Sequence, residues 1–346
     1  MTFTAVLSYL AAGTASFQSQ IALKNIMNNK RIGNVIQLVS RILLVTIFFE
    51  IVGMLLIQWA VGPEMFTSGL QRWFFSLFHS VSAFCNAGFS TLTNGLYEAP
   101  VRFNYSIHLI IAVLIILGGM GFPIVFNLFT LIRIHVHNML RRVMREPTLP
   151  VRTHIISVNS KLALATSFVL LVAGFVTYLF FEQHASLNQH PTLWGKIVAA
   201  FFGSVTPRTA GFNTVDLSAL TLPTVMIYLL LMWIGASPGS TGGGIKTTTA
   251  AVALLNLGSI IQGKTRTEIF RTQVSENSIN RAFAVILTSL IILGLAVLII
   301  ALNDGEKGLI KSRLKYFPHS VPSGLRWALR LALQGQARLC WCSSCS

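Results

Sequence analysis

Two short stretches of this chain carry the same triplet in the same setting: AFCNAGFSTL at residues 83–92 and VTPRTAGFNTVD at residues 205–216. Each places an Ala-Gly-Phe turn between an amphipathic aromatic stretch and a long apolar run. Gly88 and Gly211 reach backbone dihedrals closed to other residues. Successive carbonyls, those of Asn86, Ala87 and Gly88 in one copy and of Thr209, Ala210 and Gly211 in the other, can therefore be aimed at one axis. Carbonyl oxygens so aimed replace the hydration shell of an alkali cation without placing a full negative charge in its path. Cys85 and Phe89 flank the first triad and Phe212 closes the second. One such turn is ordinary loop punctuation, but two in the same slot read as an ion filter.

A third stretch, GASPGSTGGGIKTTT at residues 235–249, interrupts an apolar run. Gly235, Pro238, Gly239, Gly242, Gly243 and Gly244 cannot support a regular helix, so the run must break at membrane depth, where a break beneath a filter is a candidate gate. A phosphate-cradling loop would need Gly, Lys and Ser/Thr adjacent after a strand. Here Ile245 separates Gly244 from Lys246, and no strand precedes. Lys246 is expected near the inner mouth or holding the loop closed. A lysine that merely snorkels to the interface is the alternative.

These segments need a bilayer around them. With 53% hydrophobic and 10% charged residues and a mean hydropathy of +0.68, a chain of 346 residues has too little polar surface to cover a soluble globule. Five runs are long enough to cross a hydrocarbon core of ~30 Å: about 35–60, 106–130, 160–182, 223–256 with its interruption, and 282–303. The chain is thus expected to be an all-α, multi-pass protein of the inner (cytoplasmic) cell membrane, with the lipid bilayer as its surroundings. The first 15 residues read as the end of another helix, not as a cleaved signal peptide.

Loop charge orients the runs. Lys24, Lys30, Arg31 and Arg41 have no acid among them, and Arg133, Arg141, Arg142, Arg145, Arg152 and Lys161 face only Glu146. These loops, and the one holding Lys264, Arg266, Arg271 and Arg281, belong inside. The nearly balanced 62–105 and 183–222 belong outside. The net charge of +16 is topological on this reading, and nucleic acid is not an expected partner. Arg208, costly at membrane depth unless paired, is expected to meet Asp216 or to face the outer vestibule.

The order of segments repeats. In the first unit, 35–130, a spanning helix is followed by a re-entrant pore helix at 70–84, a filter at 85–90 and a second spanning helix. In the second unit, 160–256, the pore helix is 192–206, the filter 207–213 and the intramembrane loop 235–247. A basic linker fills 131–159 and another linker 257–281. The aromatic segments are too short and too polar to span, so their backbone must end partway into the bilayer.

FHSVSAFCNAGFSTL, AAFFGSVTPRTAGFNTVD and IGASPGSTGGGIKTTTAAV resemble the second and third repeats of the Trk/Ktr potassium transporter family, over roughly residues 1–310. The resemblance implies four such units around one pore, a filter glycine per repeat at Gly88 and Gly211, and a gating loop at 235–247. It also implies a homodimer whose cytoplasmic face meets a nucleotide-binding regulatory subunit. Potassium would be cargo, with no cofactor and no enzyme activity; no nucleophile, base and orienter come together in the motifs.

Against that pattern, residues 1–34 look like the end of a first repeat and its linker, and 282–310 like the start of a fourth. Residues 311–346 carry Lys311, Arg313, Lys315, Arg326, Arg330 and Arg338 where the outside is expected, with Cys340, Cys342 and Cys345 at the end. That tail reads as out of frame, not as a zinc site, whose ligand spacing it lacks. Three functional readings follow: a potassium-uptake subunit, a sodium- and potassium-permeable relative, or a non-conducting fragment that at most associates with full-length subunits.

Overall fold

The computed structural model describes residues 35–303, apart from 63, 64, 67, 145–157, 217, 218, 265 and 271. The first-repeat remnant in 1–34, the tail at 311–346 and part of the 131–159 linker, residues 145–157, lie outside the described residues. The structure is an all-α bundle with one two-stranded hairpin.

The first unit begins with α1 (Val35–Ala60), followed by α2 (Gly69–Phe84), the short α3 (Ala99–Arg102), α4 (Tyr105–Gly119) and α5 (Phe122–Val143). The second comprises α6 (Val158–Glu182), α7 (Leu193–Val205), α8 (Leu222–Trp233) and α9 (Thr247–Ile261). β1 (Glu268–Ile269) pairs antiparallel with β2 (Thr272–Gln273), and α10 (Glu276–Asn303) follows. Val35 precedes Val158 by the same interval that separates Gly88 from Gly211.

Local chemistry sets several of these boundaries. Ser68 accepts from the Gln71 N–H at the start of α2, and Thr192 Oγ1 from the Gly195 N–H at the start of α7. Asn104 does the same for α4. Each satisfies an otherwise orphaned helical donor.

Three described helices, α1, α6 and α10, contain stretches long and apolar enough to cross a membrane. Leu44, Phe48, Leu55 and Trp59 on α1, and Phe168, Val169, Val176 and Phe180 on α6, leave an exposed apolar stripe, as a lipid-facing helix requires. The run at 106–130 departs from the expected continuous span. It breaks at Met120 and Gly121 into α4 and α5, because Gly121 takes φ +86° and Pro123 opens the next helix. α5 then continues to Val143, into what the charge pattern assigned to a linker.

The core joins the two units. Phe75 and Ala83 of α2, Ile107 and Ile111 of α4, and Phe202 and Val205 of α7 form one buried cluster that also takes in Ala210 and Phe212. The second unit is stapled by Glu182, fully buried at the end of α6, which accepts from the Thr221 N–H and hydroxyl at 2.9 Å each and from the Ser186 N–H at 3.2 Å. Glu182→Ala would orphan those donors and is expected to cost about 2–4 kcal/mol, seen as a lower Tm of the purified protein; an unchanged Tm would refute the staple.

At one end of the bundle the two units share a polar seam. The Tyr97 hydroxyl lies 3.4 Å from Gln189 Oε1, and Tyr105 Oη lies 3.2 Å from His190 Nδ1. Arg102 donates to Gln189 and stacks 4.3 Å over the Tyr97 ring. Burial, then the Arg102 and Lys196 charges, hold the His190 imidazole below its usual pKa. Folding therefore opposes protonation: the stability is present above the unfolded-state pKa and is lost as pH falls through it toward the folded value. Acidifying from about pH 7.5 to about pH 5 should lower Tm more in the parent than in His190→Gln. Parallel Tm curves for the two proteins would count against the seam.

Candidate functional site

α2 and α7 each run directly into a turn. α2 ends at Phe84 with Cys85 as its cap, and α7 ends at Val205 with Thr206 as its cap. Their C-terminal ends, each equivalent to roughly half a negative charge, therefore lie at the two turns. The turns share an uncommon backbone: Asn86 (φ +51°) and Gly88 (φ +69°) in one, Thr209 (φ +69°) and Gly211 (φ +84°) in the other. A β-branched residue such as Thr209 is an outlier in the left-handed region, with strain that surrounding contacts must hold.

The two turns lie backbone to backbone. A Cβ added to Gly88 would overlap the Ala210 carbonyl oxygen and lie 2.9 Å from Gly211 Cα. The structure thus joins the triads Asn86, Ala87, Gly88 and Thr209, Ala210, Gly211 where Gly88 meets Ala210 and Gly211. None of their six carbonyls accepts a hydrogen bond among the described residues. Of the six residues Ala210 is buried, Gly211 exposed and the others intermediate, so these acceptors are left open to an outside partner. At the turn exits the situation reverses. The Phe89 carbonyl accepts from Ser82 Oγ at 2.8 Å and the Phe212 carbonyl from Thr206 Oγ1. Those two carbonyls close the turns.

Other supports escaped the sequence reading. His79, fully buried, lies 2.9 Å from both the Phe75 carbonyl and Ser90 Oγ, so it ties the first turn's exit to α2. Asn213 Nδ2 donates to the Asn94 carbonyl at 3.0 Å and joins the two exits. Single buried polar residues in an aromatic helix carry no periodic signal. Cys85 is exposed, with Sγ 3.8 Å from Glu50 Oε1 on α1. Arg208 departs from its expected pairing with Asp216: its guanidinium donates to the Ser167 carbonyl at 3.3 Å and to Ser167 Oγ at 3.1 Å, on α6.

The glycine-rich loop between α8 and α9 folds back on itself. Gly235 N donates to the Ile245 carbonyl at 2.9 Å, Ala236 N to that of Gly243 at 3.2 Å, and Ile245 N to that of Trp233 at 3.2 Å. Lys246 Nζ donates to the Gly242 carbonyl at 2.8 Å, across the loop's own neck. The tip docks on the break in the first unit. Ser237 N meets the Gly119 carbonyl at 3.0 Å, Thr241 N that of Gly118 at 3.2 Å, and Phe122 N that of Gly239 at 3.0 Å. Gly244, at φ +75°, closes the return. Gly242 packs on the second turn, where a Cβ would lie 2.6 Å from Thr209 Oγ1.

Comparison with known proteins places this architecture. The Ktr system potassium uptake protein B of Bacillus subtilis is 32% identical over 306 residues, 88% of this chain and 63% of that protein. Its Vibrio alginolyticus counterpart is 31% identical over 310 residues, 88% of this chain and 62% of that one. The potassium/sodium uptake protein NtpJ of Enterococcus hirae is 29% identical over 296 residues, 85% of this chain and 60% of that protein. The chain therefore spans somewhat under two thirds of these relatives. The crystal structure of the potassium transporter TrkH from Vibrio parahaemolyticus shares the fold, with a TM-score of 0.65 at 15% identity over 92% of this chain and 66% of that one. The TrkH family pattern, described as a cation transport protein, matches residues 1–308, and this multi-pass membrane chain belongs to that family.

Proposed function

We propose that this chain forms part of a potassium uptake path across the cytoplasmic membrane, with the turns at 85–90 and 207–213 as filter segments. The observation that carries the reading is the set of six unbonded carbonyls in two equivalent strained turns, set against the Phe89 and Phe212 carbonyls claimed by hydroxyls. An ion shedding water there would exchange hydration for carbonyl oxygens, helped by the C-terminal ends of α2 and α7. The 235–247 loop would act as the gate, with Gly235, Gly239, Gly242, Gly243 and Gly244 shaping it and Lys246 bracing its neck. Coordination on every side needs oxygens opposite these two turns, from further repeats or copies. A homodimer, with a nucleotide-binding regulatory subunit on the cytoplasmic side, completes the proposal.

The test is rubidium uptake by potassium-uptake-deficient cells at low external potassium. They would express the chain alone or extended by a preceding pore-helix unit and a following filter. Uptake is expected from the extended protein, and the chain alone should insert yet fail, because half a coordination shell does not repay the cost of stripping a cation of its water. No uptake by the extended protein would sink the reading; uptake by the chain alone would show that the added repeats are dispensable. The name of the Enterococcus hirae relative favours a second reading, a path that also passes sodium, and sodium competition during the same uptake decides it.

A further inference from the structure

We infer that Thr241, at the tip of the loop between α8 and α9, is a positioning residue of the filter itself, holding the first turn in its ion-ready shape through Asn86. The inference rests on the filter reading above. Asn86 Nδ2 donates to Thr241 Oγ1 at 2.8 Å, and that hydroxyl lies 3.0 Å from the Phe84 carbonyl and 3.1 Å from the Gly118 carbonyl. One hydroxyl has one proton and two lone pairs. Thr241 can therefore accept from Asn86 while its single proton is shared between the Phe84 carbonyl at the end of α2 and the Gly118 carbonyl at the end of α4. It thus ties the loop tip, the first filter residue and the break in the first unit at a single atom.

The tip touches the second turn as well. Asn86 and Thr209 occupy equivalent places, both in the left-handed region, and residues 241 and 242 pack against one and the other. Asn86 Oδ1 and Thr209 Oγ1 are both buried without a hydrogen-bond partner. Left-handed non-glycine residues persist only where neighbours over-determine them. For Asn86 the side-chain anchor is Thr241. A loop that merely plugged a pore would need bulk there; a hydroxyl bonded to the filter's own side chain links the aim of the carbonyls to the closed position of the loop.

The experiment uses the reactivity of Cys85, the neighbour of Asn86, in a background where Cys340, Cys342 and Cys345 are serine, so that Cys85 is the single thiol. Maleimide labelling of the membrane-embedded protein should be about tenfold faster in Thr241→Val, the cost of one lost charge-free hydrogen bond and its orphaned partner. Thr241→Ser, which keeps the hydroxyl, should match the parent. Asn86→Ala removes the donor of the same contact from the other side and should behave like Thr241→Val. Thr288→Val removes a hydroxyl bonded to the Ala284 carbonyl at 2.8 Å within α10, outside the loop and the turns, and should leave the rate unchanged. A parental rate in Thr241→Val, or equal acceleration in Thr288→Val, would overturn the assignment. So would faster labelling with an unchanged rubidium-over-sodium preference in a conducting protein. If the parent passes no ions in any form, the transport reading fails, while the labelling rates still decide whether Thr241 holds the turn.

Discussion

Gly88→Ser is expected to reduce the preference for potassium over sodium by about tenfold or more, and Gly211→Ser by less. Both positions hold left-handed backbone, φ +69° and φ +84°, where a side chain costs on the order of 1–3 kcal/mol; each 1.4 kcal/mol is about a factor of ten. The surroundings separate the two. A Cβ on Gly88 would overlap the Ala210 carbonyl oxygen, one of the proposed ligands, whereas a Cβ on Gly211 meets only Gly88 Cα, at 3.7 Å. Substitution at Gly88 therefore disturbs both turns and substitution at Gly211 chiefly its own. Competition of sodium with rubidium uptake in proteoliposomes checks the order, and unchanged selectivity in both variants would refute the filter.

Deleting Gly239 to Gly243 is expected to raise unregulated uptake several-fold. The deletion removes the Phe122–Gly239 and Thr241–Gly118 backbone bonds and the Lys246 anchor on Gly242, roughly 0.5–1.5 kcal/mol each. It also removes the residue packed under Thr209. If the loop blocks the path, the deletion leaves it open. Flux equal to that of the parent would mean that the loop is structural only.

Much of this arrangement was legible in the residues. Long apolar runs announced the helices, and the duplicated Ala-Gly-Phe turns announced the strained backbone because glycine is the residue that tolerates it. The run of glycines around Pro238 marked the broken helix. What stayed hidden was partnership. The GGMGFP stretch at 118–123 sits in a run long enough to span, so length masked the break that receives the loop. The claim of Ser82 and Thr206 on the phenylalanine carbonyls, the turn of Arg208 toward Ser167, and the reach of Thr241 to Asn86 across 155 positions are long-range or single-residue choices. Periodicity does not encode them.

The loop's grip on the first unit is made largely of main-chain groups: the N–H of Ser237, Thr241 and Phe122 and the carbonyls of Gly118, Gly119 and Gly239. Shortening side chains leaves such a grip intact. Spontaneous mutants selected for constitutive uptake should thus form a small set, skewed toward added bulk. Gly118, where a Cβ would overlap the Phe84 carbonyl, and Gly235, where it would overlap the Gly243 carbonyl, head that set. An alanine scan would meet that set only at the glycines, where alanine adds the Cβ, and truncation of the other loop side chains would pass over it, so resistance to accidental leak is built into the peptide bond itself.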